Sequence, residues 1–353
     1  MNSNSVQRWL DSIPEAARDE SVTRIKQLAD LVLSRKVQFL CGAGMSKASG
    51  LALASELNAR LIQEMLAGTD SSVLVSLSTK YPLEITAEAY LKVGLDQSRL
   101  NALIGQELGK GTGKIHDGHR SLEWFASQGF IDRVWTTNFD SLIEDAFAER
   151  GMCICDKNVD ELKRSRNANK VPVFHLHGTP ESEALLTETD TYELVTPLSK
   201  LFMADMVTNW LIIVGYSLAD TDLRTISLSM REMLKKQRLA KRPYIVLPVS
   251  NDASLGKAEW RLAEKIWDAR EMLFIPGTAE LFLPALREEV RRSRCDNFAR
   301  VLVKRRGGDP NSPAELEKAW GEARSLAEKS ELGTDLDAIE VLAQRHGVND
   351  ESS

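Results

Sequence analysis

The chain has 353 residues, with 45 Lys and Arg against 51 Asp and Glu for a formal charge of −6, and 43% of its residues are hydrophobic. This is a globular composition with room for one large domain or two, and the acidic balance argues against direct nucleic-acid binding, which draws on a clear excess of Lys and Arg. No apolar run approaches the ~18 residues of a membrane span and the amino terminus has no signal-like apolar core, so a cytoplasmic protein away from membranes is expected.

Apolar positions at helical spacing, Val22, Ile25, Leu28, Leu31 and Val32, predict a helix within residues 5–35 that feeds a buried strand over Val37 to Cys41. Further short apolar runs lie at 131–137, 171–176, 210–214, 244–247 and 271–275. Helical patterns lie between most of them, at about 139–149, 197–208, 220–238, 255–268 and 278–293. Buried strands alternating with amphipathic helices predict a Rossmann-like α/β fold, a mostly parallel sheet with helices on both faces. Residues 55–108 break the alternation with three helical patterns, 56–66, 83–93 and 99–108, and read as a helical insertion spanning about 55–118. After the breaker cluster Gly307 to Pro313, Ser312 as N-cap, Pro313 and Glu315 predict a helix start, and terminal helices follow at about 313–330 and 335–345. The expected division is 1–306 as the main domain and 307–353 as a helical extension with a frayed tail.

In parallel sheets ligands bind beyond the carboxyl ends of the strands. The first strand runs into Gly42-Ala-Gly-Met-Ser-Lys-Ala-Ser-Gly50, where glycines let backbone approach a pyrophosphate; a tight turn without a ligand is the plain alternative. A dehydrogenase fingerprint needs glycine at position 47, which is Lys47, and an acidic residue ending a second strand, whereas Glu64 sits in a helical pattern. Gly109 to Lys114 lacks the first glycine and the final Ser or Thr of a nucleotide loop and reads as a flexible loop. The second strand ends in Thr136-Thr-Asn-Phe-Asp140, whose Asn138 and Asp140 are ligand contacts or simple helix caps. The third ends in His175-Leu-His-Gly-Thr179; in an extended strand both histidines share a face and could begin a metal site, but further ligands are lacking, and His175 reads as a satisfied buried imidazole. The fourth ends in Gly215-Tyr-Ser217. The four cysteines, Cys41, Cys153, Cys155 and Cys295, contain no pair at a zinc-knuckle gap, so no zinc is expected.

The order Gly-Ala-Gly-x-Ser, Thr-Thr-Asn-Phe-Asp, His-Gly, Gly-x-Ser resembles the sirtuin family over roughly residues 35–280. It is most similar to the bacterial sirtuin-like branch, which includes NAD-hydrolysing effectors of phage defence. The resemblance implies NAD+ as substrate. It places Gly42, Ala43, Gly44 and Ser46 on the phosphates and nicotinamide ribose, Asn138 and Asp140 near that ribose and the carboxamide, His177 as the base, and Gly215 and Ser217 on the adenosine side. Two features depart from the deacylases of the family. Leu51-Ala-Leu-Ala-Ser55 replaces Ile-Pro-x-Phe-Arg, and the paired-cysteine zinc ribbon is missing.

With no acyl-lysine cleft, water is the expected nucleophile and nicotinamide and ADP-ribose the products; Asn138 and His177 are the catalytic candidates. Group transfer to a protein, by deacylation or ADP-ribosylation, and a non-catalytic NAD or ADP-ribose sensor are the alternatives. Control by assembly is expected, as a homo-oligomer or with a partner of the HerA-type ATPase or Argonaute-like kind that relatives in this branch use. The basic run Arg231 to Arg242, with six basic residues against Glu232, is a surface for such control or a solvated helix face.

Overall fold

The computed structural model describes residues 5–68, 70–94, 96–109, 113–162, 170–179, 197–216, 241–252, 254–329 and 335–346. Its centre is a seven-stranded, wholly parallel sheet: β1 (Val37–Cys41), β2 (Val134–Thr136), β3 (Gly151–Ile154), β4 (Val171–His175), β5 (Trp210–Val214), β6 (Tyr244–Leu247) and β7 (Leu273–Pro276). The strand order is β3-β4-β2-β1-β5-β6-β7. From β1 the chain lays β2 beside it, β3 at the far edge and β4 between those two, then returns to lay β5 on the other side of β1, so the topological switch point lies between the carboxyl ends of β1 and β5. A Rossmann-like α/β fold is what the alternation predicted.

Period-two side-chain alternation makes two cores from one sheet. On one face Val37, Phe39, Cys41, Ile212 and Val214 pack under α1 (Ser5–Asp11), α2 (Arg18–Leu33) and the long helix α11 (Ala279–Arg305). On the other, Leu40, Trp135, Phe174, Ile213 and Phe274 pack under α9 (Pro197–Thr208) and α10 (Leu255–Ala269). Helix α2 forms because Ile25, Leu28, Ala29 and Val32 line one stripe of a 3.6-residue repeat, all buried.

Three elements went unforeseen. β3 is a four-residue edge strand, half-buried without alternation, which gives no period for a sequence to display. Helix α7 (Asp117–Ser127) buries Leu122 and Phe125 against the sheet, and α4 (Ser71–Lys80) joins the inserted module. That module, completed by α3 (Ala54–Met65), α5 (Leu83–Lys92) and α6 (Gln97–Gly109), has its own core of Leu57, Leu61, Ala87, Tyr90, Leu100 and Ile104, against which Phe139 of the sheet domain packs. The second strand is shorter than the apolar run 131–137, since Ile131 is buried in the core yet outside the ladder. The pattern at 139–149 narrows to α8 (Leu142–Phe147). Helix α11 continues past residue 293, and α12 (Pro313–Lys329) and α13 (Asp335–Arg345) dock on its far end through Phe298, Ala299, Leu302, Ala323 and Ile339. The helix expected over 220–238, Ser217, and the basic run up to residue 240 lie outside the described residues.

Candidate active site

The ends of β1 and β5 meet at the switch point through glycine. The Gly42 N–H donates to the carbonyl of Val214 at 2.9 Å, and the Gly44 N–H to that of Gly215 at 2.8 Å. A Cβ on Gly44 would stand 2.8 Å from the Cα of Gly215, and one on Gly42 would stand 2.4 Å from the Cβ of Tyr216. Gly215 adopts φ +67°, a left-handed conformation that favours glycine. These glycines are thus required by strand-to-strand approach, a reason the sequence reading of a phosphate turn did not contain.

The short helical turn Ala43–Met45 delivers Ser46 to the centre of a buried hydrogen-bond chain. The Ser46 hydroxyl donates to Asp140 Oδ2 at 2.7 Å and accepts from Asn138 Nδ2 at 3.0 Å. Asp140 Oδ1 accepts the Leu142 N–H at 3.1 Å, so Asp140 binds both the first residue of α8 and Ser46. Burial pushes the Asp140 carboxyl above its usual range, against the lowering effect of those two donors. The Asn138 N–H donates to Thr136 Oγ1, which in turn donates to the carbonyl of Cys41, linking the second loop to the first strand. Asn138 is 5% exposed, and among the described residues its Oδ1 has no hydrogen-bond partner.

The two histidines part company. β4 ends at His175 and a turn follows, closed by the Gly178 N–H on the carbonyl of His175, so the shared strand face expected for His175 and His177 does not form. His175 is buried, with Nδ1 2.8 Å from the carbonyl of Asn138 and Nε2 2.6 Å from Glu144 Oε1, the satisfied imidazole expected of it. His177 instead reaches the cavity beside Phe139, their rings 6.4 Å apart.

That cavity, about 680 Å³, is lined on the sheet side by Ala43, Gly44, Ser46, Asn138, Asp140, His177 and Gly215. It is roomy enough for a dinucleotide portion or a drug-sized ligand. Of the residues singled out from sequence, Gly42 lies behind the wall and Ser217 is outside the described residues. The inserted module forms the opposite wall. There Asn58, 2% exposed, donates through Nδ2 to the carbonyls of Ser78 at 3.1 Å and Tyr81 at 2.6 Å, tying α3 to the turn that faces the sheet. His116 also escaped sequence reasoning. Its Nδ1 accepts the Gly118 N–H at 3.0 Å, so Nε2 carries the hydrogen and donates to the carbonyl of Met45 at 2.6 Å, pinning the glycine turn to α7. Neither residue sits in a motif; each acts through a contact that spacing cannot show.

Residues 132–269 match the model of the SIR2-like domain. The chain is 27% identical to the NAD(+) hydrolase ThsA of Bacillus cereus (strain MSX-D12), over 61% of this chain and 44% of that protein. It is 29% identical to the NAD(+) hydrolase ThsA of Cytobacillus dafuensis, over 62% of this chain and 42% of that protein. The chain thus spans less than half the length of these curated relatives. Among solved structures it resembles a Sir2 homologue in complex with NAD, with a TM-score of 0.46 and 14% identity, over 76% of this chain and 94% of that one. The paired-cysteine set of a sirtuin zinc ribbon is absent from the sequence, so the residues present do not fit a zinc ribbon of that kind. Over residues 132–269 the chain is thus similar to the SIR2-like domain.

Proposed function

We propose that this chain is an NAD+ glycohydrolase that cleaves NAD+ to nicotinamide and ADP-ribose. The observation that carries the reading is the convergence of the glycine turn, Ser46, Asn138, Asp140 and His177 on one cavity from the ends of adjacent strands. The similarity to two proteins named NAD(+) hydrolase supports it. In this reading Ala43, Gly44, Ser46 and Gly215 hold the phosphates and the adenosine side, and Gly42 shapes the turn from behind. The bond between C1′ of the ribose and the pyridinium nitrogen breaks with its electron pair passing to the leaving nicotinamide, which departs neutral and needs no acid. Positive charge grows on the ribose, and Asp140 and the Asn138 amide are the polar groups placed near it. Water attacks C1′ and loses its proton to His177, which returns it to solvent.

The wider role follows the sequence resemblance: an NAD-depleting effector of anti-phage defence, restrained until assembly with itself or with a HerA-type or Argonaute-like partner. A hydrolase that drained its own cell unprompted would be lethal, so an off state is required. The test is incubation of purified protein with NAD+ and chromatography of the products. Equal rates of nicotinamide and ADP-ribose release are expected, and intact NAD+ in every assembly state would overturn the reading.

A further inference from the structure

Behind the loop that carries Asn138, three side chains with metal-ligating chemistry converge outside the cavity. Glu144 comes from α8, Cys153 from β3 and His175 from the end of β4, and one donor atom of each lies within 4.8 Å of the other two. The register explains the meeting of the last two. Cys153 pairs with Val173, two positions before His175, so both project from the same face of neighbouring strands. β3, the strand without a sequence signal, is what brings the thiol there.

The orientation of each donor suits a cation. The carbonyl of Asn138 only accepts, so His175 Nδ1 carries a hydrogen toward it and Nε2 is the atom turned to the cluster. Metal-binding histidines are ordinarily oriented in this way, by a hydrogen bond from the other ring nitrogen to a carbonyl or carboxylate. Glu144 Oε1 shares a proton with Nε2 at 2.6 Å. Its second oxygen, Oε2, is buried and without a hydrogen-bond partner among the described residues. A buried carboxylate oxygen left in that state is costly unless something positive reaches it.

We propose that Glu144, Cys153 and His175 form a site for an exchangeable thiophilic divalent cation of the Zn2+ and Co2+ class. One carboxylate oxygen, one thiolate and one imidazole nitrogen are the donors, and water takes the fourth position. A thiolate and a carboxylate balance the two positive charges, which makes the site electrically affordable in a buried place. Uptake displaces the thiol proton and the proton shared by His175 and Glu144, both released to solvent, with no change of oxidation state. Tetrahedral donors stand about 3.3–3.8 Å apart, so the Glu144 carboxylate swings away from the imidazole by about 1 Å as the ion enters. This is not the paired-cysteine ribbon of the deacylases, because its donors come singly from three elements. The ion would brace the Asn138 loop from behind through His175, without entering the cavity.

The test uses the full chain, stripped of metal and titrated with Co2+ and then Zn2+. The expected result is one Co2+ per chain with a thiolate-to-metal charge-transfer band, displaced by Zn2+, which also raises Tm because it binds the folded state. Cys153→Ser should abolish the band. That variant and Glu144→Gln should each weaken Zn2+ binding at least about tenfold. Cys155→Ser should leave both unchanged. Absence of the band, its survival in Cys153→Ser, or equal Zn2+ affinity in that variant would overturn the assignment. Should Cys153→Ser fail to fold, alkylation of the wild type decides: saturating Zn2+ should protect Cys153, and unchanged labelling at that residue overturns the site. None of these readouts depends on NAD turnover.

Discussion

Ser46 is held from two sides, accepting from Asn138 and donating to Asp140, so its hydroxyl cannot rotate without losing the bond to Asp140. Asn138→Ala removes the amide from this chain and from the cavity, and His177→Ala removes the proposed base. Each should lower NAD+ turnover by at least ~100-fold in a protein that keeps its circular dichroism and melting profile. Wild-type rates in both folded variants would remove them from the mechanism. A second residue-level prediction concerns His119, fully buried beside His116, where desolvation and then the neighbouring imidazole push its pKa down to about 3. In the unfolded chain the same imidazole binds its proton near pH 6.5. The unfolded state therefore holds more protons between those values. Stability is fully present above about pH 6.5 and falls as pH is lowered toward 3, by at most about 1.4 kcal/mol per pH unit for this one group. Urea titrations between pH 7 and 4 should show a shallower loss in His119→Leu than in the wild type. Equal slopes would mean that the ring is protonated in the folded protein.

At the level of elements, the switch point between β1 and β5 is closed by backbone, and any side chain there must push two strands apart. Gly44→Ala places a Cβ against the Cα and carbonyl of Gly215, where no flexible side chain can give way. Overpacking of this kind costs about 1–3 kcal/mol. Thermal melting should show a lower Tm, and NAD+ turnover should fall together with it; an unaltered Tm would mean that the two strand ends are not in contact. The terminal helices α12 and α13 cover an apolar stretch of α11 that includes Phe298, Leu302 and Val303. Ending the chain at Gly308 strips that cover. Each large apolar side chain so uncovered forfeits about 1.5–3 kcal/mol, so the truncated protein should melt more than about 5 °C lower and aggregate on heating. An unchanged Tm would show that these helices are dispensable for the fold and free to make contacts between subunits.

For the molecule as a whole, the proposed control by assembly predicts a solution mass above 39.3 kDa by light scattering. It also predicts that turnover per chain changes as the protein is diluted through its dissociation range; a fully active monomer at every concentration would remove the idea. Among the described residues no helix is long and apolar enough to cross a membrane. The alternation of short apolar runs with amphipathic helices made the parallel sheet legible, because strands buried on both faces must be apolar throughout and the helices covering them must be apolar on one side. The order of polar clusters after four strands likewise singles out Gly44, Ser46, Asn138, Asp140 and His177, which line one cavity, since parallel strands deliver their carboxyl ends to one edge. Tertiary structure decided the rest. β3 owes its place to pairing with β4 rather than to any periodicity of its own, and through it Cys153 comes beside His175 and Glu144. Asn58 and His116 act on the carbonyls of Ser78, Tyr81 and Met45, and backbone carbonyls are the same at every position of a sequence. What His175 and His177 each face was settled by a turn after β4, where one bend separates two side chains that an extended strand would have kept together.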